Sequence, residues 1–239
     1  MLNPLVSKLQ HHDVLSSEEK QVLESMISRV REFRADEDIV RQGSRLTESN
    51  VLVEGFAARY KILMNGRRQI TALHVTGDFV DLHSHLLKKL DHGVTALTPC
   101  QVAVVPHENI RRITESHPHL GRVLWLSTLI DGATHREWLV AMGRRSALGH
   151  FAHLICELFL RLQAVQRTEG YSFQLPVTQA ELGDTLGIST VHVNRVVQEL
   201  RMERLITWQG ETVTILEWER LTKVADFDPT YLYLEREPR

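Results

Sequence analysis

Residues 179–198 read QAELGDTLGISTVHVNRVVQ. Counted from Gln179, apolar residues stand at places 4, 8, 10, 15 and 18: Leu182, Leu186, Ile188, Val193 and Val196. Gly183 falls at place 5 and Gly187 at place 9. This spacing suits two short helices that cross at a sharp angle. Gly187 supplies the positive φ of a tight turn. Gly183 has no side chain to hold the helices apart, and the five apolar residues form their shared core. Ser189 is a good N-cap for the second helix. The outward positions of that helix are then Ser189, Thr190, Val191, Asn194, Arg195 and Gln198, polar or small residues of the kind a major groove accepts. With Gln179 at the start of the first helix, they form the candidate DNA-contacting set. Cations are few, Arg195 and Arg201, and Glu181, Asp184 and Glu199 lie near, so attraction to phosphates by charge alone should be modest. A helical hairpin used for protein packing is the alternative reading.

Downstream, LITWQGETVTIL predicts two short strands, about 205–208 and 212–216, around the tight turn Gln209-Gly210. A helix-turn-helix followed by such a hairpin is a winged helix. Upstream, Ser146 can cap a helix whose Ala147, Leu148, Phe151, Leu154, Ile155, Leu158, Phe159 and Leu162 pack inward. RTEGYSFQLP (167–176) reads as a loop closed by a proline. Before it, residues 119–143 form a long helical stretch ending near Gly143. Val123, Leu126, Ile130, Ala133 and Val140, with Glu137 among them, step alternately by three and four. That is a seam for a second copy of the chain, or for packing across the chain's own N-terminal half.

That half has a different period. Ser17 reads as a cap followed by the acids Glu18 and Glu19, which suit a helix start, and Val22, Leu23, Met26, Ile27 and Val30 follow at helical spacing. From about residue 36, glycines fall at 43, 55, 66 and 77, separated by runs such as VLVEGFAARYKIL and RRQITALHV. Turns at this interval, with Asn65-Gly66 as a hairpin signal, predict antiparallel strands. A last strand pair is expected at Gly93–Thr98 and Gln101–Val105. Residues 36–106 thus read as one β-roll of about eight strands. The expected fold is α+β: an N-terminal antiparallel β-roll of jelly-roll type (1–118), a long dimerisation helix (119–143) and a C-terminal winged helix-turn-helix domain (144–239).

Composition narrows the function. The 239 residues are 43% hydrophobic and 24% charged, as in folded globular chains. Twenty-eight Lys and Arg against 30 Asp and Glu exclude a polycation but not a local DNA-binding face. Two cysteines cannot build a disulfide scaffold. No apolar run reaches the ~18 residues of a membrane span, and the first residues do not read as a secretory signal, so no membrane partner and a cytoplasmic location are expected.

The motifs IVRQG (39–43), VEGFAARY (53–60), NGRRQI (65–70), GDF (77–79) and LGISTVHVNRVVQEL (186–200) resemble the Crp/Fnr family of bacterial transcription regulators. So does the order of roll, long helix and winged helix. The resemblance implies a cyclic-nucleotide-binding-like roll and a homodimer zipped along the long helix. It also implies two winged helices reading palindromic double-stranded DNA, an effector in or near the roll, and RNA polymerase as a partner. By position, base contacts would come from Thr190, Val191 and Arg195. Many relatives carry Glu at the place of Val191. A valine cannot accept from cytosine N4, but it can touch a thymine methyl.

The family's usual ligands lack their residues here. The cyclic-nucleotide branch uses a Glu shortly after Gly-Asp-Phe and an Arg-Ser pair. No Glu follows Gly77-Asp78-Phe79, and no Arg lies between Leu86 and Thr98. A [4Fe–4S] cluster needs four cysteines, so Cys100 and Cys156 read as small buried hydrophobes. The haem branch has an axial histidine near His83 but a cysteine where Asp81 stands. His117/His119 and His150/His153 read as surface or capping residues rather than metal ligands. Asp81, His83 and His85, in the long segment between strands, are the candidate lining of an effector cavity whose ligand is unknown. The rival class is a cupin-like ligand sensor or enzyme. It would need several histidines and a Glu within the strands, and the runs 51–63 and 67–76 contain only His74 as histidine. No activated nucleophile or phosphate loop stands out, so a non-enzymatic regulator is expected.

Overall fold

The structure, a computed structural model, describes residues 3–237. The chain divides into two compact units: residues 3–61, 72–132 and 233–237 in one, and 62–71 with 133–232 in the other.

In the first unit, α1 (Pro4–His12) and α2 (Ser17–Ser25) precede the strands. The cap of α2 is Ser16, one residue earlier than expected, because Glu19 then stands at N3 and closes a capping box. Helical spacing ends there: Val30 lies exposed on a strand. The strands are β1 (Arg29–Phe33), β2 (Asp38–Val40), β3 (Glu48–Glu54), β4 (Ala57–Ile62), β5 (Arg68–His74), β6 (Gly93–Ala96) and β7 (Cys100–Pro106), of which Ile62 and residues 68–71 are counted with the second unit. They make two antiparallel sheets, ordered β1-β7-β3 and β2-β6-β4-β5. The roll therefore starts at residue 29 rather than 36. The expected pair of β6 and β7 does not form, since each joins a different sheet.

Strands β3 and β7 are covered on both faces, and the two-residue period sorts their side chains. Val51, Ala103 and Val105 pack with Leu5, Leu9, Leu23 and Met26 of the N-terminal segment. Leu52 and Val102 point the other way, to Phe33, Val40, Val80 and Val94. Both clusters sit in the dry interior, where each large side chain contributes roughly 1.5–3 kcal/mol. An unforeseen helix, α3 (His107–Ser116), adds Ile110 and Ile113 to the first cluster.

Helix α4 (Pro118–Arg144) passes through Gly143 and stops one residue later. Its Leu120, Val123 and Leu124 join Ile110 and Ile113. His119 is no free surface residue: Nδ1 meets Glu19 at 2.5 Å and Nε2 meets Asp13 at 3.1 Å.

In the second unit, α5 (Ala147–Ala164) starts at the Ser146 cap and buries Phe151, Leu154, Ile155, Leu158, Phe159 and Leu162. His150 and His153 are buried on the same helix, not exposed. The stretch expected as a loop forms a hairpin instead, β8 (Thr168–Glu169) and β9 (Ser172–Gln174), turning at Gly170. Strand β9 pairs with β11 and buries Phe173, whose ring centroid lies 6.2 Å from that of Phe159. Then follow α6 (Gln179–Leu186), α7 (Thr190–Met202), β10 (Ile206–Gln209), β11 (Thr212–Ile215) and α8 (Trp218–Ala225). The wing is a four-stranded sheet ordered β10-β11-β9-β8.

Candidate nucleic-acid interface

Helix α6 begins in a capping box: Glu181 N–H donates to Thr178 Oγ1 at 3.2 Å, and Thr178 N–H donates to the Glu181 carboxylate at 2.6 Å. It ends at Gly187, whose φ of +69° turns the chain. Across that turn, a β-carbon on Gly183 would lie 2.8 Å from the carbonyl oxygen of Ile188. The two helices can approach this closely only because the position is glycine. Ser189 Oγ then accepts from His192 N–H at 3.3 Å and starts α7. Leu182, Leu186, Val193 and Val196 are buried, and Ile188 is half-buried.

Ser189, Thr190, Val191, Asn194, Arg195 and Gln198 all lie exposed on α7, together with Gln179 on α6. Gln179 Nε2 donates to Asn194 Oδ1 at 3.0 Å, which links the two helices across this face. Arg195 makes no hydrogen bond or ion pair with another described residue. Its guanidinium keeps all its donors for an external acceptor, and a guanine edge accepts two of them.

One contributor to this unit was missed in the sequence. The β4–β5 turn reaches α6: Arg68 Nε pairs with Asp184 at 2.8 Å, and Gln69 Nε2 donates to the carbonyls of Asp184 and Thr185 at 2.7 and 3.3 Å. The last carbonyls of a helix lack intrahelical donors, and Gln69 supplies one. Asp184, counted above against DNA binding, is thus neutralised by Arg68. The NGRRQI motif carried the needed residues, but nothing local in it says what they touch.

In the roll, Asp81 is fully buried. It accepts from Asn50 N–H at 2.6 Å and from Asn50 Nδ2 at 2.7 Å. Burial, opposed by those bonds, pushes its carboxyl up to about 7. His83 Nε2 lies 3.2 Å from His92 Nε2, and burial holds its imidazole down at about 4. His85 stands apart from this pair, edge-on to His107 at 5.4 Å. The sequence overlooked His92, and also Arg59, whose buried guanidinium pairs with Asp131 of α4 at 3.0 Å.

These residues do not fit a cyclic nucleotide. Both oxygens of Asp81 are committed to Asn50, Lys88 and Lys89 are exposed, and Arg59 is committed to Asp131. Cys100 and Cys156 are buried, one in each unit, and burial raises both thiols. They fall short of the four thiolates of an iron–sulfur cluster. No described helix is long and apolar enough to cross a membrane.

Along α4, Val123 and Ala133 lie inside the protein, Leu126 and Ile130 are half-covered, and Val140 is exposed. The large apolar residues left open are Val140 and four that the seam read from the sequence did not include, Trp125, Leu129, Leu139 and Met142.

Comparison with known proteins agrees with this architecture. Residues 30–117 match the cyclic nucleotide-binding domain family, and residues 151–224 match the Crp-like helix-turn-helix domain family. The chain is 28% identical to the transcriptional activator protein FnrL of Cereibacter sphaeroides over 216 residues, 89% of this chain and 86% of that protein. It is 24% identical to the transcriptional activator protein Anr of Pseudomonas aeruginosa over 214 residues, 88% of this chain and 86% of that protein. Among solved structures, FixK2 from Bradyrhizobium japonicum aligns with a TM-score of 0.76 at 23% identity, over 83% of this chain and 97% of that one.

Proposed function

Because the chain belongs to the Crp/Fnr family of transcription regulators, we propose that it reads a palindromic operator as a homodimer, with Arg195 as the principal base-reading side chain. The single observation that carries this reading is the outward face of α7, where Arg195 has no partner among the described residues and Ser189, Thr190, Val191, Asn194 and Gln198 flank it. Arg195 donates two hydrogen bonds to guanine O6 and N7. Val191 touches a thymine methyl. Gln179, Ser189 and Thr190, at the starts of the two helices, take phosphate or base contacts where the N-terminal amides already favour an anion. The acidic surroundings limit sequence-independent binding, so selectivity rests on base contacts more than on charge.

The second copy packs along α4. Trp125, Leu129, Leu139 and Val140 lead the contact, with Leu126 and Ile130 beside them, while Val123 and Ala133 support it from within. Regulation in the bacterial cytoplasm, in concert with RNA polymerase, follows from the family. The segment holding Asp81, His83 and His85 is where the roll would take an effector.

Selection of a binding sequence from randomised duplex DNA, followed by footprinting, tests the reading. The expected site is a palindrome. Arg195→Ala should weaken it by about 1–3 kcal/mol and relax the preference at one symmetric base pair. Unchanged affinity in that variant would remove Arg195 from its role.

A further inference from the structure

The imidazoles of His83 and His92 face each other in a way a hydrogen bond alone does not require. Their Nε2 atoms are 3.2 Å apart, yet the ring centroids are only 5.0 Å apart. A linear hydrogen bond of that length would hold the ring centres about 5.5 Å apart, because the N–H axis and the lone pair both run through the ring centres. At least one nitrogen axis is therefore bent. With both rings tilted to a common side, which the two distances allow, the axes would meet about 2.0 Å from each nitrogen at an angle near the tetrahedral one, the geometry of two imidazoles on one zinc ion.

The neighbours are arranged for the same purpose. Asp91 Oδ1 accepts from His92 Nδ1 at 2.9 Å. A carboxylate on Nδ1 fixes the tautomer that leaves the Nε2 lone pair free, the usual second layer around a metal-bound histidine. Lys61 holds the other Asp91 oxygen at 2.9 Å, so the carboxylate is anchored. The guanidinium of Arg59 does not repel a cation unopposed, because Asp131 neutralises it at 3.0 Å.

We propose that His83 and His92 form a two-imidazole site for a divalent transition-metal ion of zinc type, closing the segment between them into a loop. Imidazole selects zinc, cobalt, nickel and copper over magnesium and calcium. No cluster of three or more His, Cys, Asp and Glu ligands exists among the described residues, so the remaining positions go to water or to a small donor molecule. Bound metal would tie the turn at Leu82–His85 to the start of β6 and restrain the exposed residues 86–89 between them. Any effect on transcription rests on the regulator reading above. Binding of the ion does not.

The test is a titration of the full-length, metal-stripped protein with cobalt(II), followed by visible absorption, and with zinc(II), followed by calorimetry. The expected result is one equivalent per chain, lost in both His83→Gln and His92→Gln. Asp91→Asn should weaken it about 10–100-fold. His92→Cys keeps a ligand in place and should retain binding, with a sulfur-to-cobalt charge-transfer band. Absence of saturable binding to the wild-type protein overturns the site, and this needs no variant to fold. Binding that persists unchanged in both glutamine variants overturns it too, by placing the ion on other histidines. An operator shift run with and without zinc is a separate readout: loss of DNA binding under both conditions counts against the regulator reading alone.

Discussion

The α-carbon of Gly183 faces the carbonyl oxygen of Ile188 so closely that a single added methyl would sit 2.8 Å from it. The atom in the way is backbone, at the turn that sets the angle between α6 and α7, so it cannot swing aside as a side-chain tip would. Gly183→Ala should force the helices apart and cost about 1–3 kcal/mol, the range of overpacked interiors. Gly183→Val should cost more. Thermal denaturation measures the loss, and operator affinity should fall with it, since the start of α7 moves with the turn. A variant with wild-type stability and affinity would show that the helices do not cross this closely.

A second prediction concerns Glu157, which is fully buried on α5. One carboxylate oxygen accepts from Trp138 Nε1 and from the Tyr231 hydroxyl, each at 2.9 Å, and the other from Arg161 Nη1 at 2.9 Å. Three donors from three segments converge on one side chain. Removing a member of a buried charged pair leaves the other uncompensated. Glu157→Ala should therefore destabilise the second unit by about 3–5 kcal/mol. Trp138→Phe deletes one donor and should cost about 1 kcal/mol. Denaturant titration followed by tryptophan fluorescence and far-ultraviolet dichroism distinguishes the two.

The helix-turn-helix was readable from residues 179–198 because everything that shapes it is local: two glycines, a cap and five apolar residues, all between residues 182 and 196. The two sheets were less readable. Nothing in GVTA or CQVAVVP says that β6 pairs with β4 and β2 while β7 pairs with β1 and β3, since pairing partners lie up to 75 residues away, as for Arg29 and Val104. The same limit hid the contacts of Arg68 with Asp184 and of Arg59 with Asp131, each between distant segments. His92 was overlooked beside His83 for a related reason: they stand nine positions apart, and only the fold of the loop brings their nitrogens together. The open apolar face of α4 differs from the sequence reading because α3, unforeseen, shares a cluster with Val123, while Trp125 and Leu129 lie exposed.

That open face yields a third prediction. Trp125 is 66% exposed and Leu129 51% exposed, one helical turn apart. Trp125→Glu/Leu129→Glu should convert the proposed α4 dimer to monomer with little effect on the fold of the single chain, because neither residue is in its interior. Sedimentation equilibrium reads the assembly state, and the melting temperature at low concentration reads the fold. Val123→Ala should act mainly on the fold: it opens a cavity in the first cluster, lowering stability by roughly 1–3 kcal/mol, with a smaller effect on association than the double glutamate variant. A double glutamate variant that still dimerises would place the contact elsewhere.

The buried histidines give the chain a particular response to acid. Burial, the leading cause in each case, holds His74, His83 and His150 at about 4 and His153 at about 3. Unfolded imidazoles titrate near 6.5. Between those values the unfolded chain binds more protons than the folded one, so stability falls as pH drops through the window from about 6.5 to about 4. Two groups act the other way. Asp81, raised to about 7, takes up its proton in the folded state first. His119 is raised by its bond to Glu19 and contributes stability that is present below its unfolded value and lost as pH rises through its folded one. Four depressed imidazoles outweigh them below pH 6, at up to roughly 1.4 kcal/mol per proton and pH unit. The urea midpoint should therefore decline between pH 7 and pH 5, before the carboxylates other than Asp81 titrate. In the His150→Gln/His153→Gln protein that decline should be shallower, whatever the variant's absolute stability. A midpoint that stays flat from pH 7 to pH 5 in the wild-type protein would mean that these imidazoles remain free to take up protons in the folded state.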